Sequence, residues 1–374
     1  MVWTLGARAL ATQAAPRARP ARTSRRIGAL VALTCAGAGA TYWLRRNDAP
    51  PVPQPTRYAE LTLEESVRLP RNAADAFDPH EAPVHRLLRV RANGDTGVDD
   101  AAADDDVARR LAIYAYYIKE PSLQVERAYT PLEMLARADP RVLSFVVKRY
   151  ADGEMSRYLH RLRPTSPVSL RGPVPTWELG TARVPTEIVL VRAALTQLVA
   201  GTGVSTAVQL LSNAYAGAAG PVPRITVLYA AQSLDTLEMV PELAAFQREH
   251  PSVRVGLWVE RLAAHHGTVA ALEGPPVPAE VHAERRTRWW PTSPTHYQLR
   301  LASGDVLPLA LGRIEAADLR TWSAPDADRL VLVCGPDGFV RAMAGDKGRD
   351  MVSQGPLRGL LAELGYRPEQ VVKL

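Results

Sequence analysis

Apolar residues follow two different rhythms along this chain. In the first half they come in short runs of strand period, Tyr58–Val67, Val84–Val90 and Leu111–Ile118, separated by polar stretches. Leu143–Tyr150 is another such run, with Phe145, Val147 and Arg149 on one face. Val168–Leu170 is a further strand, expected to end in a tight turn at Arg171-Gly172-Pro173. Between these two lies Arg157–Leu162, whose Leu159 and Leu162 fit a short amphipathic helix. Residues 58–183 therefore predict a small antiparallel β-barrel carrying one helix. From residue 184 to 374 the rhythm changes to strands alternating with helices. The strands are Leu195–Ala200, Arg224–Tyr229, Val253–Val259 and Arg329–Val333, and the helices Ala207–Ala214 and Pro241–His250. That alternation predicts a Rossmann-like α/β sheet. The expected fold class is thus an antiparallel barrel followed by an α/β domain.

Ahead of the barrel the pattern predicts targeting and anchoring. Residues 1–26 are rich in Arg, Ala, Ser and Thr with no acid, the composition of a mitochondrial presequence; a disordered basic tail is the alternative. Ile27–Leu44 carries no charge for eighteen residues and is bracketed by Arg25-Arg26 and Arg45-Arg46. As a helix it would be about 27 Å long, enough for a transmembrane helix at 27–44 with Tyr42 and Trp43 at an interface. A cleaved signal sequence stays open as the other reading. Residues 45–57 include DAPPVPQPT and read as a proline-rich, extended linker. Together these predict a single-pass protein of the mitochondrial inner membrane with its body in the intermembrane space. The arginines on both flanks leave the orientation undecided by charge alone.

Charge changes the picture once it is located. The net +6 comes from 45 bases against 39 acids, but eight arginines lie within residues 1–46. Without them 37 bases face 39 acids, a net of −2, so the body has no electrostatic footprint for nucleic acid. Asn93–Asp106 holds six aspartates and no base, and reads as a solvated loop or a docking surface for a basic partner. The two cysteines, Cys35 and Cys334, allow neither a disulfide framework nor a cysteine zinc site. His265-His266 reads as an exposed loop pair, so no metal site is expected. Arg285–Trp290 (RRTRWW) is a basic aromatic insertion, read as a loop or as a partner or lipid patch.

The candidate chemistry sits where strands end. In Arg127-Ala128-Tyr129-Thr130-Pro131-Leu132 a guanidinium suited to phosphate and an aromatic ring lie two residues apart on a strand, followed by a hydroxyl. Asp152-Gly153-Glu154-Met155-Ser156 places a glycine turn before a helix, leaving free backbone N–H groups for a phosphate; Asp152 as a simple N-cap is the alternative. Gly201-Thr202-Gly203 follows a buried strand and precedes a helix, where glycines let a backbone approach a diphosphate. Cys334-Gly335-Pro336 stands at the end of another strand, the edge at which open α/β sheets bind ligands.

Taken in order, RAYTPL, VVKRY, DGEMS, RGP, AGTGVSTAVQLL and CGPDGF resemble the ferredoxin-reductase-type flavoproteins, nearest the NADH–cytochrome b5 reductases, over about residues 110–374. The leader, IKEPSLQVERAYTPL and GYRPEQVVKL make the chain similar, within that superfamily, to the fungal mitochondrial cytochrome c import factors. The resemblance implies FAD and NADH, with NADPH as the other nucleotide it allows. It implies that Arg127, Tyr129, Thr130, Lys148, Tyr150, Gly153, Met155 and Ser156 hold FAD. It implies that Gly201, Thr202, Gly203, Gly335 and Pro336 hold the nicotinamide nucleotide, with Ser205 and Cys334 at the reacting rings. Asp152, Glu154, Ser205 and Thr206 depart from the family's usual residues. The expected partners are NAD(P)H and the haem of cytochrome c, or apocytochrome c and its haem lyase. A general NADH–cytochrome b5 reductase and a redox-inactive adaptor binding apocytochrome c are the two alternatives. The residues after Tyr229, Ala230-Ala231-Gln232-Ser233, lack a cation for a 2′-phosphate and so favour NADH.

Overall fold

The structure is a computed structural model. It describes residues 53–69, 85–92, 110–133, 139–179, 194–216, 222–261, 280–283, 296–326, 328–350 and 353–374. The predicted presequence, membrane helix, aspartate-rich loop, His265-His266 and Arg285–Trp290 lie outside the described residues, as does Cys35. Among the described residues no helix is long and apolar enough to cross a membrane.

Six antiparallel strands form the first sheet: β1 (Ala59–Leu69), β2 (His85–Arg91), β3 (Ala112–Glu120), β4 (Val125–Tyr129), β5 (Val142–Lys148) and β6 (Pro167–Glu178), in the order β4-β3-β6-β1-β2-β5. The two outer strands are drawn together where Leu132 N–H donates to the Ser144 carbonyl at 2.9 Å, just past the end of β4. The alternation of β1, with Ala59, Leu61 and Leu63 inward and Glu60, Thr62 and Glu64 outward, fills the interior from one face of the strand. Leu88, Tyr116, Phe145 and Leu170 complete that core, and Met155 and Leu159 of helix α1 (Glu154–Arg161) stopper it. The expected turn at Arg171–Pro173 is not there. β6 runs through it to Glu178, with the β3–β6 register shifting on both sides of Tyr114 and Ala115. Gly172 is needed because at φ +144° a Cβ would sit 2.6 Å from the Tyr116 ring.

The end of the proline-rich stretch is strapped to this barrel rather than standing free. Pro53 is buried, Gly172 N–H donates to the Gln54 carbonyl at 3.0 Å, and Arg171 Nη1 donates to the Pro55 carbonyl at 2.8 Å. The same guanidinium pairs with Glu126 and lies 4.0 Å from the Tyr117 ring centroid.

The second sheet has eight strands: β7 (Ala194–Ala200), β8 (Arg224–Ser233), β9 (Val253–Arg261), β10 (Glu280–Ala283), β11 (His296–Arg300), β12 (Val306–Leu311), β13 (Arg329–Cys334) and β14 (Val371–Lys373). Their order is β10-β11-β12-β9-β8-β7-β13-β14. The β12–β14 side is parallel, while β10, β11 and β12 pair antiparallel. The chain winds outward from β7 through β8 and β9, then returns on the other side with β13, so the winding reverses between β7 and β13. Helices α2 (Val204–Ala214), α3 (Val240–Glu249), α4 (Ala316–Trp322), α5 (Asp337–Ala344) and α6 (Gly359–Glu363) cover the sheet. Helix α2 begins at Val204, three residues ahead of expectation, directly from a 3-10 turn over Gly201–Gly203. One hydrophobic cluster runs from Leu87, Leu111, Ile113 and Val146 on the barrel's flank into Val199, Leu210, Val227 and Tyr229. The two sheets are therefore packed through a shared core, and α2 is the element pressed against β3.

Candidate active site

On the barrel side the candidate residues gather at the ends of β4 and β5, the strands that flank the closure. Tyr129, the last residue of β4, is half-buried and packs against the barrel core. Burial pushes its phenol up to about 12, with the Tyr150 ring adding to the rise and Arg127 opposing it, so the hydroxyl stays protonated and can donate. Arg127 is exposed, its Nη1 turned to the Glu126 carbonyl at 2.8 Å. Thr130 follows the strand, half-buried. At the end of β5, Lys148 places its ammonium 5.4 Å from the Tyr150 ring centroid, and burial lowers its pKa. Tyr150 is 48% exposed, one of two large hydrophobic side chains so open among the described residues. Such a ring is available to lie against a flat heterocycle.

Helix α1 begins at Gly153, which makes no side-chain cap. Asp152 is thus not the N-cap and lies exposed. Gly153 is required sterically, because a Cβ there would meet Ser156 Oγ at 2.6 Å and Tyr150 Cβ at 3.0 Å. Ser156 Oγ accepts from Tyr150 N–H at 3.0 Å and donates to the Gly153 carbonyl at 2.9 Å, which fixes the turn between β5 and α1. Met155 points into the barrel core, so what it can offer a ligand is its backbone N–H. Glu154, an acid near this N-terminus, is paired with Arg157 one turn on.

On the α/β side the site is made of backbone. Gly201 has φ +55°, the left-handed region, and a Cβ there would meet nothing within 4 Å, so conformation rather than crowding selects glycine. Gly203 is the reverse case, with an ordinary φ of −57° but with a Cβ position 2.7 Å from the Cys334 carbonyl oxygen. The turn after β7 and the turn after β13 are therefore in contact. Gly335 is packed as closely, its Cβ position 3.0 Å from both Ala200 Cβ and Phe339 Cδ1. Ser205 Oγ donates to the half-buried Thr202 at its carbonyl, 2.9 Å away, and Thr206 Oγ1 to that of Gly203 at 2.8 Å. Thr206 also bonds the Cys334 thiol, whose pKa burial raises against that bond and against Lys347, so the thiol stays protonated. Pro336 is the N-cap of α5. These glycines line the C-terminal ends of β7 and β13, where the winding of the sheet reverses.

The two halves meet where β5 lies against the Gly201–Gly203 turn. The Tyr150 phenol, on the barrel, is raised by burial and then by the Asp337 carboxylate at the start of α5. Lys347, past the end of α5, is half-buried, and its pKa is lowered by burial against the opposing influence of Cys334 and Asp337. Neither Asp337 nor Lys347 stands out in the sequence as a site residue; Asp337 lies within CGPDGF but carries no expectation of its own. A helix N-terminus closed only by glycine, a half-buried ammonium, an open aromatic face and two glycine turns fit a dinucleotide cofactor with a flat ring and a diphosphate. Among the described residues no cluster of potential metal ligands occurs.

Residues 111–179 match the model of the oxidoreductase FAD-binding domain. The chain is 24% identical to an uncharacterized FAD-binding protein of Schizosaccharomyces pombe, over 90% of this chain and 92% of that one. It is 26% identical to NADH-cytochrome b5 reductase 2-B of Vanderwaltozyma polyspora, over 72% and 74%, and 24% identical to an NADH-cytochrome b5 reductase-like protein of Arabidopsis thaliana, over 85% and 77%. The cytochrome b5 reductase domain of Ulva prolifera nitrate reductase has the same fold, with a TM-score of 0.54 at 16% identity, covering 87% of this chain and all of that domain. The chain is an FAD-dependent NAD(P)H oxidoreductase with the ferredoxin-reductase fold.

Proposed function

We propose that a nicotinamide nucleotide, NADH in preference to NADPH, gives a hydride to FAD at the seam between Tyr150 and the Gly203–Cys334 contact, and that the electrons leave singly to a haem protein of the cytochrome b5 kind. The observation that carries this reading is that strand β5, which ends at Lys148, lies against the Gly201–Gly203 turn, which brings the two motif sets to one place. Bound flavin supplies the exchange between one hydride and two single electrons. The chain's own residues bind and orient. Arg127 and the N–H groups after Gly153 would hold the FAD diphosphate, Tyr129 and Thr130 the isoalloxazine, and Lys148 and Tyr150 the linking chain. Gly201–Gly203 and Gly335-Pro336 would admit the nicotinamide nucleotide against the backbone. Ser205 and the protonated Cys334 thiol would border the nicotinamide as neutral hydrogen-bonding groups, which makes the site one of placement rather than of acid or base.

The preference for NADH rests on β8 and the turn beyond it. Ala230–Ser233 prove to be strand, and the residues after them, Leu234–Glu238, again hold no Arg or Lys while including Asp235 and Glu238. A tenfold preference for NADPH in steady-state kinetics would reverse that assignment.

The acceptor reading follows the relatives, several of which carry the cytochrome b5 reductase name and match two thirds or more of the chain. Haem attachment to cytochrome c is supported by sequence alone, through the leader and the segments IKEPSLQVERAYTPL and GYRPEQVVKL. Purified protein should show flavin absorbance and reduce ferricyanide with NADH; a colourless, inactive protein would leave the adaptor reading. Turnover with cytochrome b5, set beside a haem-ligation assay on apocytochrome c, separates the two acceptors. Anchoring by residues 27–44 in the mitochondrial inner membrane, with the body in the intermembrane space, is part of the same proposal. Release of the protein by alkaline carbonate would count against the anchor.

A further inference from the structure

β4 ends at Tyr129, opposite Tyr116 of β3, and the same register would next set Pro131 opposite Tyr114. Pro131 has no N–H to give, so the β3–β4 ladder cannot continue there. The gap is filled from the α/β half, by helix α2. Gln209, fully buried in the middle of α2, accepts the Tyr114 N–H on Oε1 at 2.7 Å. Its Nε2 donates to the Tyr114 carbonyl at 3.1 Å and to the Pro131 carbonyl at 2.8 Å. A primary amide presents the same donor and acceptor as a peptide group, and here it stands in for the missing rung. One turn on, buried Asn213 donates to the Ala112 carbonyl at 3.1 Å. Helix α2 thus grows directly out of the Gly201–Gly203 turn, and six residues later, ~9 Å along its axis, it is tied to the residue that follows Thr130.

We propose that Gln209 is a positioning residue for hydride transfer: by bridging Tyr114 and Pro131 it sets the spacing between Tyr129–Thr130 and Gly201–Ser205. The proposal rests on the hydride-transfer reading above. Asn213 makes the same class of bond one turn further from the glycine turn, so it contributes to stability without setting that spacing.

The test compares Gln209→Met, of similar length without donor or acceptor, with Asn213→Leu and the parent protein, all as full-length FAD-loaded enzyme. Flavin reduction by NADH is followed by rapid mixing, amide hydrogen exchange at Tyr114 reports the bridge itself, and thermal midpoints report stability. Gln209→Met is expected to keep its flavin, exchange the Tyr114 amide faster, and reduce about tenfold or more slowly with an NADH KM changed less than threefold, a size that misplacement of reacting groups can produce. Asn213→Leu should lose thermal stability and keep a reduction rate within twofold of the parent. Gln209→Glu gives a second arm in case Gln209→Met does not fold: its carboxyl regains a donor when protonated, so its rate relative to the parent should recover as pH falls. A reduction rate within twofold of the parent in Gln209→Met, equal slowing in Gln209→Met and Asn213→Leu, or no pH-dependent recovery in Gln209→Glu where it alone folds would overturn the proposal. A parent protein that carries flavin but is not reduced by NADH would instead overturn the hydride-transfer reading.

Discussion

The two halves of the site are made of different material. The barrel presents side chains from strand ends, Arg127, Tyr129, Lys148 and Tyr150, while the α/β sheet presents bare backbone at Gly201, Gly203 and Gly335. A side-chain site loses one contact at a time when it is changed, because the strand beneath it is held by its neighbours. A backbone site has no side chain to remove, and adding one displaces whatever the backbone had approached. The barrel half should therefore respond to truncation in graded fashion, and the α/β half to enlargement abruptly.

The sharpest break of that contrast is Gly203→Val. Its Cβ would fall 2.7 Å from the Cys334 carbonyl oxygen, so the two turns must separate. NADH-driven flavin reduction should drop by about 100-fold or more, with the flavin content of the barrel unchanged by absorbance. Equal loss of flavin would show that the two halves do not act separately. Arg127→Ala should come next: FAD should bind about 10-fold to 100-fold more weakly, the scale of a lost charge-assisted bond, while the exposed position leaves the apoprotein's midpoint nearly unmoved. A variant that purifies fully flavinated would remove Arg127 from the site. Gly201→Ala separates conformation from crowding. It should cost about 1–2 kcal/mol for the left-handed φ, seen by denaturant unfolding, yet slow reduction far less than Gly203→Val.

The smallest effect is one of pH and belongs to the barrel. Burial, aided by Arg86, Arg149 and His85, pushes His160 down to about 4 against its bond to the Val147 carbonyl. Its folded value lies below its unfolded one, so the unfolded chain takes up the proton first. Stability is then full above about 6.5 and declines as pH falls toward about 4. His160→Gln should flatten the thermal midpoint across that window. Asp139, held well below the usual carboxylate range by Arg91 and then Arg141, should lose its contribution only at more acid pH.

Much of this architecture was legible in the chain, for a physical reason. Ala112–Ile118, Leu143–Lys148 and Leu195–Ala200 fall in strands whose side-chain period or apolar density is set by the core they face. The glycines of GTG and CGP announce strand-to-helix turns for the same local cause. What escaped was non-local or short. β6 continues through Arg171-Gly172-Pro173 because Tyr116, far off in sequence, packs against Gly172. β14 has three residues and β12 contains Pro308, so neither carries a clear strand pattern. Ser205 and Thr206 read as residues before a helix, yet they form its first turn, their hydroxyls satisfied by the carbonyls of Thr202 and Gly203. Gln209 sits in the apolar run AVQLL, and only the fold brings it to Pro131, 78 residues away.

The strap at residues 53–57 bears on how far the body can travel. Thirteen fully extended residues reach at most ~46 Å and eight at most ~28 Å, and Gln54 and Pro55 are already bonded to β6. The effective tether to anything ahead of residue 45 is thus eight residues rather than thirteen. A pull at Pro53 would load Arg171, and through Glu126 the strand that carries Arg127, before it reached β1.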